Sequence, residues 1–162
     1  MTDTTAGGKT AKNRSATTTI DAPAATVFAI LSDPRQHARI DGSGSVKGST
    51  VGPDRLELGS EFGMSMKRGA GYKMTNKVVE HEADRLIAWR HVGAHRWRYE
   101  LAPTNGGGTQ VTETWDLSPY NPVARAAVSA LFGKGTQAAI EATLVKLKEA
   151  AESDAAGAGP GA

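Results

Sequence analysis

The spacing of apolar residues changes twice along the chain. Residues 14–20 are a short β-branched stretch that predicts a strand, and the apolar residues after it recur at helical spacing. Pro23 suits the first position of a helix, because its missing N–H would have no partner there. Asp33 and Pro34 mark the start of a second short helix, since Asp is a frequent N-cap and Pro favours the first turn. One strand and two small helices are therefore predicted.

The middle of the chain, residues 46–117, changes to short segments separated by turn residues. The separators contain Gly, Pro, Asn and Asp, which are the residues that tight turns require. Six strands are predicted: VKGSTV, SEFGMSMKR, YKMTNKVVE, RLIAWRH, HRWRYEL and TQVTETWDL. Strands at this spacing are typical of an antiparallel meander.

The last third of the chain predicts a long helix with Asn121 as its cap and Pro122 at its start. Its buried stripe is predicted to be Val128, Leu131, Phe132, Ile140, Leu144 and Leu147. Gly133 and Gly135 are expected to bend the helix or to divide it in two. A curved antiparallel sheet needs its concave face covered, and this helix is large enough to cover it.

Hairpin geometry predicts which side chains share the inner face of the sheet. A turn centred near Gly93 pairs Trp89 with Trp97 and His91 with His95. Directly paired residues point to the same side, because side chains alternate along each strand. The two histidines are therefore expected together, next to two tryptophans.

A second turn, near Gly106, pairs Trp97 with Trp115 and Tyr99 with Glu113. The three tryptophans of the chain then form one row across three strands. The inner face is predicted to hold Trp89, Trp97, Trp115, Tyr99, Leu101 and Val111, and by alternation Phe62, Met64, Met66, Tyr72, Met74 and Asn76. The outer face is predicted to hold Arg96, Arg98, Glu100, Thr112, Thr114 and Asp116.

Two interpretations of the inner face stay open. Trp and Met fill space well, so they could form a plain core under the helix. Alternatively, sheet and helix fail to meet and leave an aromatic cavity. Glu113 bears on the choice, because burying a carboxylate costs several kcal/mol unless it is paired or hydrogen-bonded. A ligand-filled pocket would relieve that cost, and so would a hydrogen bond from Tyr99.

Composition narrows the function further. The 162 residues suggest one domain, and the net charge of +2 argues against nucleic acid as the main partner. The absence of cysteine excludes disulfides and thiolate metal sites and fits a cytoplasmic protein. No apolar run reaches the ~20 residues of a membrane span, so stable membrane insertion is not expected. Residues 1–13 and 153–162 are predicted to be disordered tails around a domain at 14–152.

Several segments together resemble a known family. They are TIDAPAATVFAILSDPRQHARIDGSG, VVEHEADRLIAWR, WRYELAP and GTQVTETWDLS. The set resembles the START-like helix-grip superfamily, also called SRPBCC, and within it the polyketide cyclase/dehydrase proteins. The resemblance implies an α+β fold: a seven-stranded curved antiparallel sheet wrapped around a long C-terminal helix, with two short helices between strands 1 and 2. It also implies a deep pocket for a small hydrophobic ligand such as a lipid, a polyketide or an aromatic metabolite.

The resemblance does not fix an activity, because its members include enzymes, carriers and protein-binding domains. We expect a carrier or sensor of a small hydrophobic ligand, without a cofactor. The alternative is a cyclase or dehydratase in which Glu113 is the base and Tyr99 donates a hydrogen bond to a substrate carbonyl. A protein-interaction scaffold is a third hypothesis.

Two further groups of polar residues are candidates at the pocket. Under this fold the stretch HARIDGSG lies at one end of the pocket as a lip or gate, a plain turn or a catalytic loop, and it contributes His37 and Asp41. The histidines of HVGAH lie near the rim. Two imidazoles could approach a metal, with a third ligand from Glu113, His37 or Asp41, but nothing in the spacing demands one, and no metal is expected.

Overall fold

The computed structural model describes residues 13–159. Of the predicted tails at 1–13 and 153–162, residues 1–12 and 160–162 lie outside this range. The strands are β1 Arg14–Ile20, β2 Val46–Val51, β3 Glu61–Arg68, β4 Ala70–Glu82, β5 Leu86–Arg90, β6 Arg96–Pro103 and β7 Thr109–Asp116. The helices are α1 Ala24–Leu31, α2 His37–Ile40, preceded by a 3-10 turn at Pro34–Gln36, and α3 Pro122–Gly157. None of the helices described is long and apolar enough to cross a bilayer.

The seven strands form one antiparallel sheet in the order β1-β7-β6-β5-β4-β3-β2. The predicted pairing is confirmed, with Trp97 opposite both Trp89 and Trp115, and Tyr99 opposite Glu113. The sheet therefore carries the three indoles in one row, and the α+β helix-grip architecture predicted from the resemblance is present.

The outer face of the sheet carries charges that are paired across strands. Glu80 on β4 accepts hydrogen bonds from Arg96 at 2.9 Å and from Arg98 at 2.7 Å. The prediction that this face meets water is wrong for Asp116, which is only 6% exposed. Arg96 and Asn13 both donate to its carboxylate and cover it.

Helix α3 begins as predicted, with the side chain of Asn121 accepting a hydrogen bond from the backbone N–H of Ala124 at 2.9 Å. It is not divided at its glycines. Gly133 instead permits a close approach, since a Cβ there would lie 2.6 Å from the guanidinium of Arg14. Arg14 also donates to the Gly133 carbonyl at 3.2 Å, which fastens β1 to the helix.

The predicted buried stripe of α3 is wrong at two positions. Leu131 is 76% exposed and Phe132 is 55% exposed, whereas Ile140 and Leu147 are buried. At 3.6 residues per turn, nine residues separate Leu131 from Ile140 by about half a turn, which puts Leu131 on the opposite side of the helix. The apolar residues of each half of α3 follow helical spacing, but the two halves do not share one face.

Both predicted domain boundaries need correction. Helix α3 continues to Gly157, so residues 153–157 are helical, and the ion pair of Asp154 with Arg39 at 2.8 Å ties them to α2. Alanine, frequent in this segment, is the strongest helix former. At the other end, Asn13 accepts the Leu117 N–H at 2.8 Å and belongs to the folded domain.

Candidate functional site

A cavity of about 370 Å³ lies between the concave face of the sheet and α3. This volume falls in the range of small-molecule sites. Nearly all the predicted site residues line it: Trp89, Trp97, Trp115, Tyr99, Glu113, Met64, Met66, Tyr72, Met74, Asn76, His37, Asp41, His91 and His95. Of the two interpretations left open for the inner face, a cavity is therefore present.

Phe62 is the one predicted site residue that does not line the cavity. It is 1% exposed, and the rings of His37 and Trp89 pack edge-on against it at centroid distances of 5.4 and 5.9 Å. Alternation correctly placed Phe62 on the inner face, but α2 adds His37 as a layer above it. Phe62 therefore supports the cavity wall from behind.

Three rings form a stack in that wall. Trp89 stacks on His37 at 4.7 Å and on Tyr99 at 5.3 Å. The Nε2–H of His37 donates to the Leu31 carbonyl at 2.8 Å, and burial lowers the pKa of this imidazole. A neutral ring fits the stack, because a buried cation without an acidic partner would be costly.

Glu113 is the buried acid of the cavity, at 2% exposure. The hydroxyl of Tyr99 donates to its Oε1 at 2.8 Å, whereas Oε2 has no partner among the described residues. Burial raises the pKa of Glu113 to about 8, the hydrogen bond from Tyr99 lowers it, and the charge of Asp41 raises it. At neutral pH this side chain is therefore mostly a neutral acid with an unused oxygen.

Burial and the neighbouring Glu113 both raise the pKa of Tyr99 well above its usual value. Tyr99 therefore stays protonated and remains a hydrogen-bond donor. Two features were expected to lower the cost of burying Glu113, a cavity and a hydrogen bond from Tyr99. The structure has both.

The two histidines of the β5–β6 turn meet as predicted. Their Nε2 atoms are 3.3 Å apart, and Nδ1 of His95 lies 3.1 Å from the hydroxyl of Tyr120. Burial, followed by the nearby His95, lowers the pKa of His91 to about 4, and burial also lowers that of His95. The pair is therefore neutral at pH 7, and one imidazole donates to the other in a chain that ends at Tyr120.

No third ligand joins this pair. Within residues 13–159 there is no group of three or more His, Asp or Glu side chains placed to hold a metal ion. The carboxylate of Asp41 instead bonds to the loop that follows it, where it accepts from the backbone N–H groups of Ser43 at 2.9 Å and Val46 at 2.7 Å.

The loop after α2 closes one end of the cavity against α3. The N–H of Gly42 donates to Oγ1 of Thr143 at 3.0 Å, and Lys146 donates to the Asp41 carbonyl at 2.7 Å. A Cβ on Gly42 would lie 2.3 Å from the Ala139 carbonyl oxygen. Contact with the helix therefore requires glycine here, and the loop forms a fastened wall of the cavity.

Several lining residues were not predicted. They are Arg68, Tyr120, Val128, Phe132, Thr136, Ala139 and Thr143, among others. Arg68 could have been found by extending the β3 alternation one step past Met66. Val128 and Phe132 were expected in the buried stripe of α3 but not as lining residues. Thr136, Ala139 and Thr143 gave no apolar signal, because their side chains are small or carry a hydroxyl. Tyr120 had no signal at all, because it lies in an irregular link.

Comparison with known proteins places the chain in a family. A family model described as polyketide cyclase / dehydrase and lipid transport matches residues 13–152. The chain is 39% identical over 134 residues to the uncharacterized protein Rv0088 of Mycobacterium tuberculosis strain H37Rv, covering 80% of this chain and 60% of that protein. The chain thus spans about 60% of the length of this curated relative.

Solved structures show the same fold. The AHSA1-like protein from Aeromonas hydrophila matches with a TM-score of 0.60 at 23% identity, covering 93% of this chain and 97% of that one. Protein NE0264 from Nitrosomonas europaea matches with a TM-score of 0.66 at 17% identity, covering 90% and 97%. The sequence match, the seven-stranded sheet and the long helix agree: the chain belongs to the polyketide cyclase/dehydrase and lipid transport family and has its START-like helix-grip fold.

Proposed function

We propose that this protein binds a small hydrophobic ligand, such as a lipid, a polyketide or an aromatic metabolite, and acts as its carrier or sensor. The observation that carries the proposal is the 370 Å³ cavity, whose lining includes three tryptophan and three methionine side chains. The apolar surface of these side chains gains no free energy of burial where it faces water. A ligand of matching size would remove that apolar surface from water.

The wall is also suited to ligands of more than one shape. Met64, Met66 and Met74 line one side, and methionine adapts to irregular surfaces because its side chain is unbranched and flexible. The rigid stack of Trp89 on Tyr99 lines another side and offers a flat aromatic surface. The family description, which includes lipid transport, supports the same class of ligand.

A substitution that fills the cavity tests the proposal. Ala139 lines the cavity, whereas its neighbour Ala138 is exposed on α3. Ala139→Phe is expected to weaken binding of the neutral dye N-phenyl-1-naphthylamine at least tenfold, and Ala138→Phe is expected to leave binding unchanged. Titration of dye fluorescence measures both, and circular dichroism checks that both variants are folded. Absence of dye and lipid binding by the wild type would refute the proposal, as would equal effects of the two variants.

The alternative is an enzyme of the cyclase or dehydratase type, and the unpaired Oε2 of Glu113 favours it. A carboxyl with a pKa of about 8 can donate a proton at neutral pH and accept one as the pH rises. Under this alternative Glu113→Gln keeps ligand affinity but lowers turnover at least a hundredfold. An activity that survives this substitution would exclude Glu113 as its acid or base.

A further inference from the structure

Three carboxylate or guanidinium side chains line the cavity, and they differ in their partners within the protein. They are Asp41, Glu113 and Arg68. The oxygens of Asp41 accept hydrogen bonds from the loop that follows it. Glu113 is buried and bonded to Tyr99. Both acids are therefore engaged by hydrogen-bond donors of the protein itself.

Arg68 has no such partner. No carboxylate within residues 13–159 forms an ion pair with its guanidinium, although ten ion pairs are present in that part of the chain. Arg68 is exposed and lines the cavity, so it lies where the cavity meets solvent. Tyr72, 41% exposed and also in the lining, stands on the adjoining strand.

Arg68 and Glu113 are at opposite ends of the cavity along the strands. Arg68 lies at the β3–β4 turn, where its neighbour Met66 pairs with Tyr72. Glu113 pairs with Tyr99, Tyr99 with Ile87, and Ile87 with His81. His81 comes nine residues after Tyr72 on β4, so the two ends are well separated along the strands. The cavity therefore runs from a cationic mouth, past methionines and indoles, to an acid with an unpaired oxygen.

We propose that the ligand is an amphipathic anion, with a long apolar body inside the cavity and a carboxylate or phosphate head group on Arg68. The inference rests on the proposed function and adds the class of ligand to it. A guanidinium binds either head group through two parallel hydrogen bonds. At the other end, Oε2 of Glu113 is buried and has no hydrogen-bond partner among the described residues.

Matched probes separate the head group from the apolar body. The fluorescent acid 11-(dansylamino)undecanoic acid and its methyl ester differ only in the charge of one end. Wild-type protein is expected to bind the acid at least tenfold more tightly than the ester. Arg68→Gln is expected to remove this preference and to leave the affinity for the ester unchanged.

Lys67→Gln is the matched control, because Lys67 is the adjacent cation of β3 but does not line the cavity. This variant is expected to keep the preference for the acid. Displacement of the probe by laurate, dodecyl phosphate and dodecanol then identifies the head group. At least one of the two anions should displace the probe more strongly than the alcohol does.

Equal binding of acid and ester by wild type would overturn the inference and leave the proposed function standing. Equal loss of acid binding in Arg68→Gln and Lys67→Gln would also overturn it, since it would indicate general attraction by positive charge. Failure of both probes and of dodecanol to bind would remove the proposed function together with the inference.

Discussion

Tyr99 and Glu113 face each other on neighbouring strands, and the tyrosine hydroxyl donates to Oε1 of the acid at 2.8 Å in the cavity wall. The second oxygen of Glu113 has no partner in the described part of the chain. Among the described residues that line the cavity, this is the only carboxyl and phenol pair that is buried and hydrogen-bonded. Its titration is therefore the most direct probe of the site.

Glu113 is expected to make stability fall with pH. Its pKa is about 8 in the folded protein and near 4.5 when unfolded. Between these values the folded state binds the proton and the unfolded state does not, so the free energy of unfolding decreases as pH rises and levels off above pH 8. Glu113→Gln lacks this term, so from pH 5 to pH 9 its stability relative to wild type should rise by on the order of a few kcal/mol. Urea unfolding from pH 5 to 9 measures it.

Glu100→Gln is the control for this experiment, because Glu100 lies on the outer face of the adjacent strand, is exposed and pairs with Arg98. Its pH profile should follow that of wild type. The buried histidines change stability in the opposite direction below pH 6.5, so the difference between wild type and Glu113→Gln is the quantity to compare. A difference that stays constant from pH 5 to 9 would contradict a raised pKa at Glu113.

Tyr99→Phe is expected to leave Glu113 without a hydrogen-bond partner. The free energy of unfolding at pH 7 should fall by about 1–3 kcal/mol, the cost of an unsatisfied buried polar group. Because the lost hydrogen bond lowers the pKa of Glu113, that pKa should rise further. Urea unfolding of both single variants and the double variant Tyr99→Phe/Glu113→Gln measures the coupling. Additive effects would mean that the two side chains do not interact.

Tyr120→Phe tests the link between the histidine turn and the start of α3. The Tyr120 hydroxyl accepts from the Ala94 N–H and contacts Nδ1 of His95, both at 3.1 Å. Its removal should cost about 1 kcal/mol in urea unfolding and change the tautomer of His95 seen by NMR. Tyr72→Phe is the control, since the Tyr72 hydroxyl has no hydrogen bond to any described residue. Identical histidine spectra in the two variants would contradict the hydrogen bond between His95 and Tyr120.

Gly42→Ala is expected to push the loop after α2 away from α3. The added Cβ would lie 2.3 Å from Ala139 O and from Thr143 N, both backbone atoms that cannot easily yield. Strain of this kind costs about 1–3 kcal/mol, and dye affinity should fall as well because the loop closes the cavity. Gly106→Ala, where a Cβ would contact nothing within 4 Å, should change the thermal midpoint little. Similar losses in the two variants would contradict the close packing of Gly42.

Local signals in the sequence determined the strands, the register and the start of the last helix. Alternation and turn residues act over a few positions, so Trp89, Trp97 and Trp115 could be placed in one row, and Tyr99 beside Glu113, without any knowledge of the distant parts of the chain. Asn121 marked the start of α3 because capping depends only on the next few N–H groups.

The tertiary structure alone decided that the inner face is hollow. Whether a sheet and a helix meet depends on how far apart distant elements are held, and no local pattern carries that distance. For the same reason, no local pattern could predict that His37 covers Phe62 or that Leu131 is exposed. Nor could it predict that Tyr120, in the irregular segment between β7 and α3, bonds to His95. Alternation along the strands determined which strand side chains face inward, and packing between remote segments determined which of them border empty space.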